Sequence, residues 1–354
     1  PVTSIPVHNP NPVHIPQTAT GAPVDSQPYQ APRADTLQNI PFTTPERTFE
    51  PVATYRQAMP QVPVQTGAPK VPVITKEVIV PFTLKGGEGK STTGFNLAAA
   101  LANAFAALAD AFATNPVYDN LTVVFVDLNM NRGASRSLVV CPGEVGVHRW
   151  FEGVPSDVDI EWVKARLYKH PCGLYILPGV QSPYEGVNLK EDVVNSIVHT
   201  LRRFFTIVVL DVAPGINDPA VVALENATKV LLVSQPLGLS LVDCVSAVGP
   251  VRDITAGAAE MMVVINRLEK KGLPLKMIET KMIDAVGIPI SATIPEDPVI
   301  RQLQNKGLIP VLEQPGSPYA ISIRHIGSLI EPIFPERQRR GLFGWLSRRK
   351  AAAV

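Results

Sequence analysis

The chain has 354 residues, 45% of them hydrophobic, a formal net charge of +1 and 35 prolines. That length and apolar content allow one large core with extensions. A net charge this small leaves no global field to draw in nucleic acid or an acidic partner, so any such attraction must be local. Cys141, Cys172 and Cys244 are widely spaced. They offer neither a metal-ligand spacing nor a disulfide framework, and suit a reducing compartment. No apolar run approaches the roughly 20 residues expected of a spanning helix, and no charged-then-apolar leader opens the sequence.

Residues 1–74 are rich in Pro, with Thr, Gln and Val between, and carry no hydrophobic periodicity. Proline removes backbone donors and restricts its neighbours, so an extended or disordered arm is expected. The arm reads as a tether, or as a docking segment for a groove-bearing protein partner that the sequence does not identify.

Folded structure is expected from residue 75 to residue 334. An apolar run from Val78 to Leu84 predicts a buried strand. Lys85-Gly86-Gly87-Glu88-Gly89-Lys90-Ser91-Thr92 follows, and an Ala/Leu-rich run from Gly94 to Phe112 predicts a helix. A strand, a glycine loop and a helix in this order can hold a phosphate chain. The glycines let backbone amides close on the phosphates, and the helix offers its positive end to the same anion. Lys90 can reach the β- and γ-phosphates, and the Ser91 hydroxyl can ligate Mg²⁺. The plain alternative is a glycine turn between a strand and a helix. The usual phosphate-loop spacing wants glycine where Leu84 stands; a variant with an additional leading lysine, Lys85, fits instead. Glu88 is unusual, because an acid in a phosphate loop must point outward or be paired.

Downstream, Leu121 to Asp127 predicts a second apolar strand ending in an acid, with Asn129 in the following loop. Residues 135–168 are less regular, with short helices at Val147–Phe151 and Ile160–Val163 whose Trp150 and Trp162 suit packing. Gly173–Gly179 predicts a strand with a turn, Glu191–Phe205 a helix, and Thr206–Asp211 another apolar strand ending in an acid. Aspartate is disfavoured in strands, so two such ends behind one phosphate loop suggest a shared cation. Strands at Lys229–Ser234, Met261–Arg267 and Ile288–Ile294 alternate with helices at Ser240–Asp253, Lys276–Val286, Ile300–Lys306 and Tyr319–Ile333. This alternation implies a mainly parallel twisted sheet with helices on both faces. The tail, residues 335–354, is basic and carries Leu342, Phe343, Trp345 and Leu346. At helical spacing it suits an anionic membrane surface; a solvated terminus, a nucleic-acid contact or packing on a protein are the alternatives.

These motifs resemble the ParA/MinD family of dimerising ATPases, over Thr75 to Phe334. The resemblance implies a three-layer α/β phosphate-loop fold that binds ATP and Mg²⁺ and forms a homodimer in the ATP state. It places Gly86, Gly87, Glu88, Gly89, Lys90, Ser91 and Thr92 around the phosphates, with Asn266 and Pro295 near the adenine. Ser91, Asp127 and Asp211 serve the metal, and Lys85 reaches the partner's ATP. The family's first switch is Asp-x-Asp, whereas this chain has Asp127-Leu128-Asn129; the second acid helps position the attacking water. The catalytic set implied is Lys85, Lys90, Asp127, Asn129 and Asp211, with slow, partner-stimulated hydrolysis. The function expected is a spatial positioning switch for a membrane-associated division, pilus or secretion machine, of MinD-like or CpaE/TadZ-like type. Such a protein would be cytoplasmic and peripheral at the inner face of the cell membrane. The alternatives are a nucleotide-binding scaffold with little hydrolysis and a DNA-binding partition ATPase.

Overall fold

A computed structural model of the chain describes residues 75–111, 120–131 and 133–331. The expectations for the Pro-rich arm and the basic tail lie outside these residues. Eight strands form one sheet: β1 (Glu77–Phe82), β2 (Val123–Leu128), β3 (Tyr168–Lys169), β4 (Tyr175–Leu177), β5 (Ile207–Val212), β6 (Lys229–Ser234), β7 (Glu260–Leu268) and β8 (Ile290–Pro295). Their order is β3-β4-β2-β5-β1-β6-β7-β8. Every pairing is parallel except that of β3 with β4. The longer helices are α1 (Lys90–Ala111), α2 (Glu191–Phe204), α3 (Asp218–Glu225), α4 (Gly238–Ile254), α5 (Leu275–Val286), α6 (Pro298–Asn305) and α7 (Pro318–Ile330).

Alternate residues of the central strands feed two separate cores. Val78, Val80 and Phe82 of β1 join Val208 and Leu210 of β5 on one face, under α2 to α5. Ile79 and Val209 join the other face, under α1, α6 and α7. A central parallel strand is covered on both sides, which is why these strands are almost uniformly apolar. Trp150 is buried and meets Trp162 edge-on with ring centres 5.2 Å apart, so both pack as expected.

The sequence showed no stretch fit to span a membrane, but α1 is long and apolar enough by length and composition. Its Phe95, Leu97, Leu101 and Phe105 are instead buried in the second core. The structure adds elements that hydrophobic pattern did not foresee. Helix α3 starts where the Asn217 side chain accepts a hydrogen bond from the Ala220 amide at 3.2 Å. Strand β3 is only two residues long and closes one edge.

Parallel strands all point the same way, so the loops at their carboxyl ends gather at one edge. β1 lies between β5 and β6. The loop of residues 83–89 therefore rises between the end of β5, with Asp211, and the end of β6, with Ser234 and Gln235. This is the side of an α/β sheet on which ligands bind.

Candidate nucleotide site

Gly87 and Gly89 have φ near +90°, which a side chain strongly disfavours. A Cβ on Gly89 would also overlap the side-chain amide of Asn266, whose Nδ2 donates to the Glu88 carbonyl at 2.8 Å. Gly86 has neither constraint: its nearest neighbour would be Pro214 at 3.9 Å. The loop ends as the Thr93 amide donates to the Gly89 carbonyl at 2.9 Å and α1 begins.

Lys90 is buried. Its Nζ donates to Asp211 Oδ1 at 2.8 Å, to the Val212 carbonyl, and more weakly to Ser91 Oγ at 3.4 Å. Asp211 is fully buried, and its Oδ2 has no hydrogen-bond partner. Asp127 stands beside it in register on β2. The Asp127 carboxylate accepts from the Ser135 amide at 2.7 Å and the Asn129 amide at 3.2 Å. Burial, and then the charge of Asp211, push the Asp127 carboxyl up to about 6. Two buried carboxylates thus stand side by side, one of them held by Lys90. A divalent cation would answer the free Asp211 oxygen and the crowding of charge, so these residues fit Mg²⁺, with Ser91 as a hydroxyl ligand. Among the described residues no group of three His, Cys, Asp or Glu could hold a metal alone; the rest of such a shell must come from phosphate and water.

The other expected residues lie around this centre. Lys85 sits one-third exposed at the rim, 3.4 Å from Glu88 Oε1 and 3.6 Å from Asp243 Oδ2. Glu88 is paired: its carboxylate turns away from Lys90 and is buried against the β6–α4 connection. The Asn129 Oδ1 accepts from the Asn131 amide at 3.1 Å, so the side chain braces its own loop. Thr92 Oγ1 accepts from Gln304 of α6 at 3.2 Å. Beyond Gly89 and Thr92 a cleft opens between Asn266, Arg267, Pro295, Glu296 and Arg301. Arg267 has a left-handed φ of 55° and lies 3.8 Å from Glu296.

Sequence reasoning missed Gln304, Arg267, Glu296, Asp243, Gln235 and Ser240. Pro295-Glu-Asp297-Pro298 and Asn266-Arg267 carried a local signal for the cleft. The remaining residues come from α4, α6 and the connection after β6, and meet the loop only through sheet order.

A glycine loop between β1 and α1, a buried lysine on one acid and a second acid beside it define a phosphate-loop nucleotide-binding protein. No family model matches the chain. It is 28% identical over 255 residues to an uncharacterised ATP-binding protein of Methanocaldococcus jannaschii, covering 71% of this chain and 88% of that one. It is 24% identical over 257 residues to the septum site-determining protein MinD of Synechocystis, covering 72% and 89%. Among solved structures, MinD of Pyrococcus horikoshii complexed with Mg-ADP shares the fold, with a TM-score of 0.57 and 22% identity over 72% of this chain and 95% of that one. The chain is thus similar in sequence to ATP-binding proteins, MinD among them.

Proposed function

We propose that the chain is an ATP-dependent switch: it binds Mg-ATP at residues 85–92, pairs with a second copy through that face, and hydrolyses ATP slowly. The observation that carries this is the buried Lys90–Asp211 pair, with Asp127 alongside, at the foot of a loop bent at Gly87 and Gly89. Amides of the loop and the start of α1 would face the phosphates. Lys90 would exchange part of its contact with Asp211 for phosphate oxygens. Ser91, Asp127 and Asp211 would hold Mg²⁺, which supplies charge neutralisation at the phosphates. The chain's residues then act mainly by positioning and charge, which is most of phosphoryl-transfer catalysis.

Pairing is supported by the rim. Among the described residues Lys85 pairs with two carboxylates of its own chain, and Ile216, Leu237, Leu239 and Val242 are exposed on the connections and helix that flank the phosphate loop. The expected role of the dimer is to position a membrane-associated cargo, peripheral at the inner face of the cell membrane, with the basic tail on anionic lipid. The tail's mix of aromatic and basic residues supports that placement. A scaffold with little turnover is favoured by one observation: the Asn129 oxygen already accepts within its loop, so it is a poor acceptor for a water proton.

Light scattering after size exclusion tests the switch, with Mg-ATP and Mg-ADP, on wild type and Lys85→Ala. Dimer only with ATP, and only in wild type, is the expected result. The same mass with either nucleotide refutes it. Pelleting of the ATP form with anionic liposomes or with DNA then decides between membrane and partition roles.

A further inference from the structure

Glu88 sits inside the phosphate loop, yet its carboxylate does not face the phosphate side. It is 3% exposed. One oxygen accepts from the Gln235 amide at 2.7 Å and the other from Ser240 Oγ at 3.0 Å, with Lys85 Nζ 3.4 Å from that second oxygen at the rim. Gln235 returns the contact, its Nε2 donating to the Gly87 carbonyl at 2.9 Å. Asn266 holds the Glu88 carbonyl from β7. Four hydrogen bonds therefore join three residues of the loop's surroundings to Gly87 and Glu88. Ser240 is itself buried, in the first turn of α4. That turn and the residue before it carry exposed Leu237 and Leu239, with Val242 one turn on.

We infer that Glu88 is a positioning residue rather than a nucleotide ligand: it clamps the first turn of α4 to the phosphate loop, so that nucleotide held by the loop steadies residues 235–243. This rests on the nucleotide-binding function proposed above. A buried carboxylate accepting a backbone amide and a hydroxyl is a stiff link, because releasing either donor leaves a buried polar group unpaired. Ordinary loop contacts through apolar side chains would slip instead. The clamp gives the acid in this loop a task and tells the α4 turn whether the loop is filled.

Hydrogen exchange at residues 235–243 tests this on the full chain, with and without Mg-AMPPNP at saturation set by calorimetry for each variant. The parent is the wild-type chain, with Lys85 left in place because it lies 3.4 Å from Glu88 Oε1, and every variant is measured at a concentration where light scattering shows a monomer, so that burial by a second copy cannot mimic the effect. Nucleotide should slow exchange there about tenfold in this parent. Glu88→Gln should keep the slowing, since its amide oxygen can accept from Gln235 and its NH₂ can donate to Ser240. Glu88→Ala should lose it. Ser240→Ala lies outside the loop; it should bind nucleotide as the parent does, with the slowing cut to about threefold or less. Slowing that survives in Glu88→Ala, or nucleotide binding without slowing in the parent, overturns the clamp alone. No heat of binding in the parent overturns the nucleotide function, and the clamp with it.

Discussion

Three glycines of one loop should respond differently to alanine, and the differences follow from geometry. Gly86→Ala meets its nearest atom at 3.9 Å with φ in the ordinary range, so it should cost nothing or stabilise slightly. Gly87 also has open space around a Cβ but a φ of 90°, so its alanine variant should lose about 1–2 kcal/mol to backbone strain. Gly89 carries the same strain, and its Cβ would push the Asn266 amide from the Glu88 carbonyl. Losing a buried hydrogen bond adds roughly 1–3 kcal/mol, for a total of about 2–5 kcal/mol. In a domain of this size that is a fall in Tm of about 4–20 °C. Thermal and urea unfolding without nucleotide would measure the series. Asn266→Ala removes the obstacle as well as the bond, so in the double variant the two costs should fall short of their sum by about 1 kcal/mol. Equal losses at 86, 87 and 89, or full additivity with Asn266→Ala, would refute the reasoning.

Asp127 sets a pH dependence. Its folded pKa, near 6, lies above its ordinary 3.8, so the stability it contributes is full below about 3.8 and is lost as pH rises through 6. The loss is on the order of 3 kcal/mol and should appear as a falling Tm between pH 4 and 7 in chelator. Asp211→Asn removes the neighbouring charge, so that fall should move to lower pH; it also strands Lys90 in the core, at a cost of about 3–5 kcal/mol in urea unfolding. Asn129→Asp keeps an oxygen for the Asn131 amide and adds an acid to the switch. Phosphate release should rise by about tenfold or more if the amide limits turnover, and an unchanged rate would remove Asn129 as the cause.

The fold was legible because its strands are covered on both faces. Uniform apolar runs such as Lys229–Ser234 announce a buried parallel strand with almost no ambiguity. What escaped was local chemistry rather than periodicity. Helix α3 has only eight residues, and its start is written as Asn217-Asp218-Pro219, a cap followed by proline. Strand β3 is too short to show alternation. Helix α1 was legible as a helix, and it also passes the length and composition test for a span: a core helix between a sheet and two other helices is apolar on most of its surface, so composition alone does not separate the two.

The site divides along the same line. Lys85 to Thr92 form one continuous stretch, and the spacing of glycines and lysines within it carries the chemistry. Asp127 and Asp211 are 84 positions apart, and each shows itself as an acid closing an apolar strand; the sheet order then sets β2 beside β5 and brings them into register. Glu88 shows the limit. The sequence says that it needs a partner, because a bare carboxylate would repel phosphate. Lys85 stands near one oxygen, but the hydrogen-bond donors that bury the carboxylate, Gln235 on the connection after β6 and Ser240 in α4, lie about 150 positions away. Neither belongs to a motif, and a polar pair at a helix start has many ordinary uses. Only the placement of β6 beside β1 makes them neighbours, so their role can be read from topology and not from pattern.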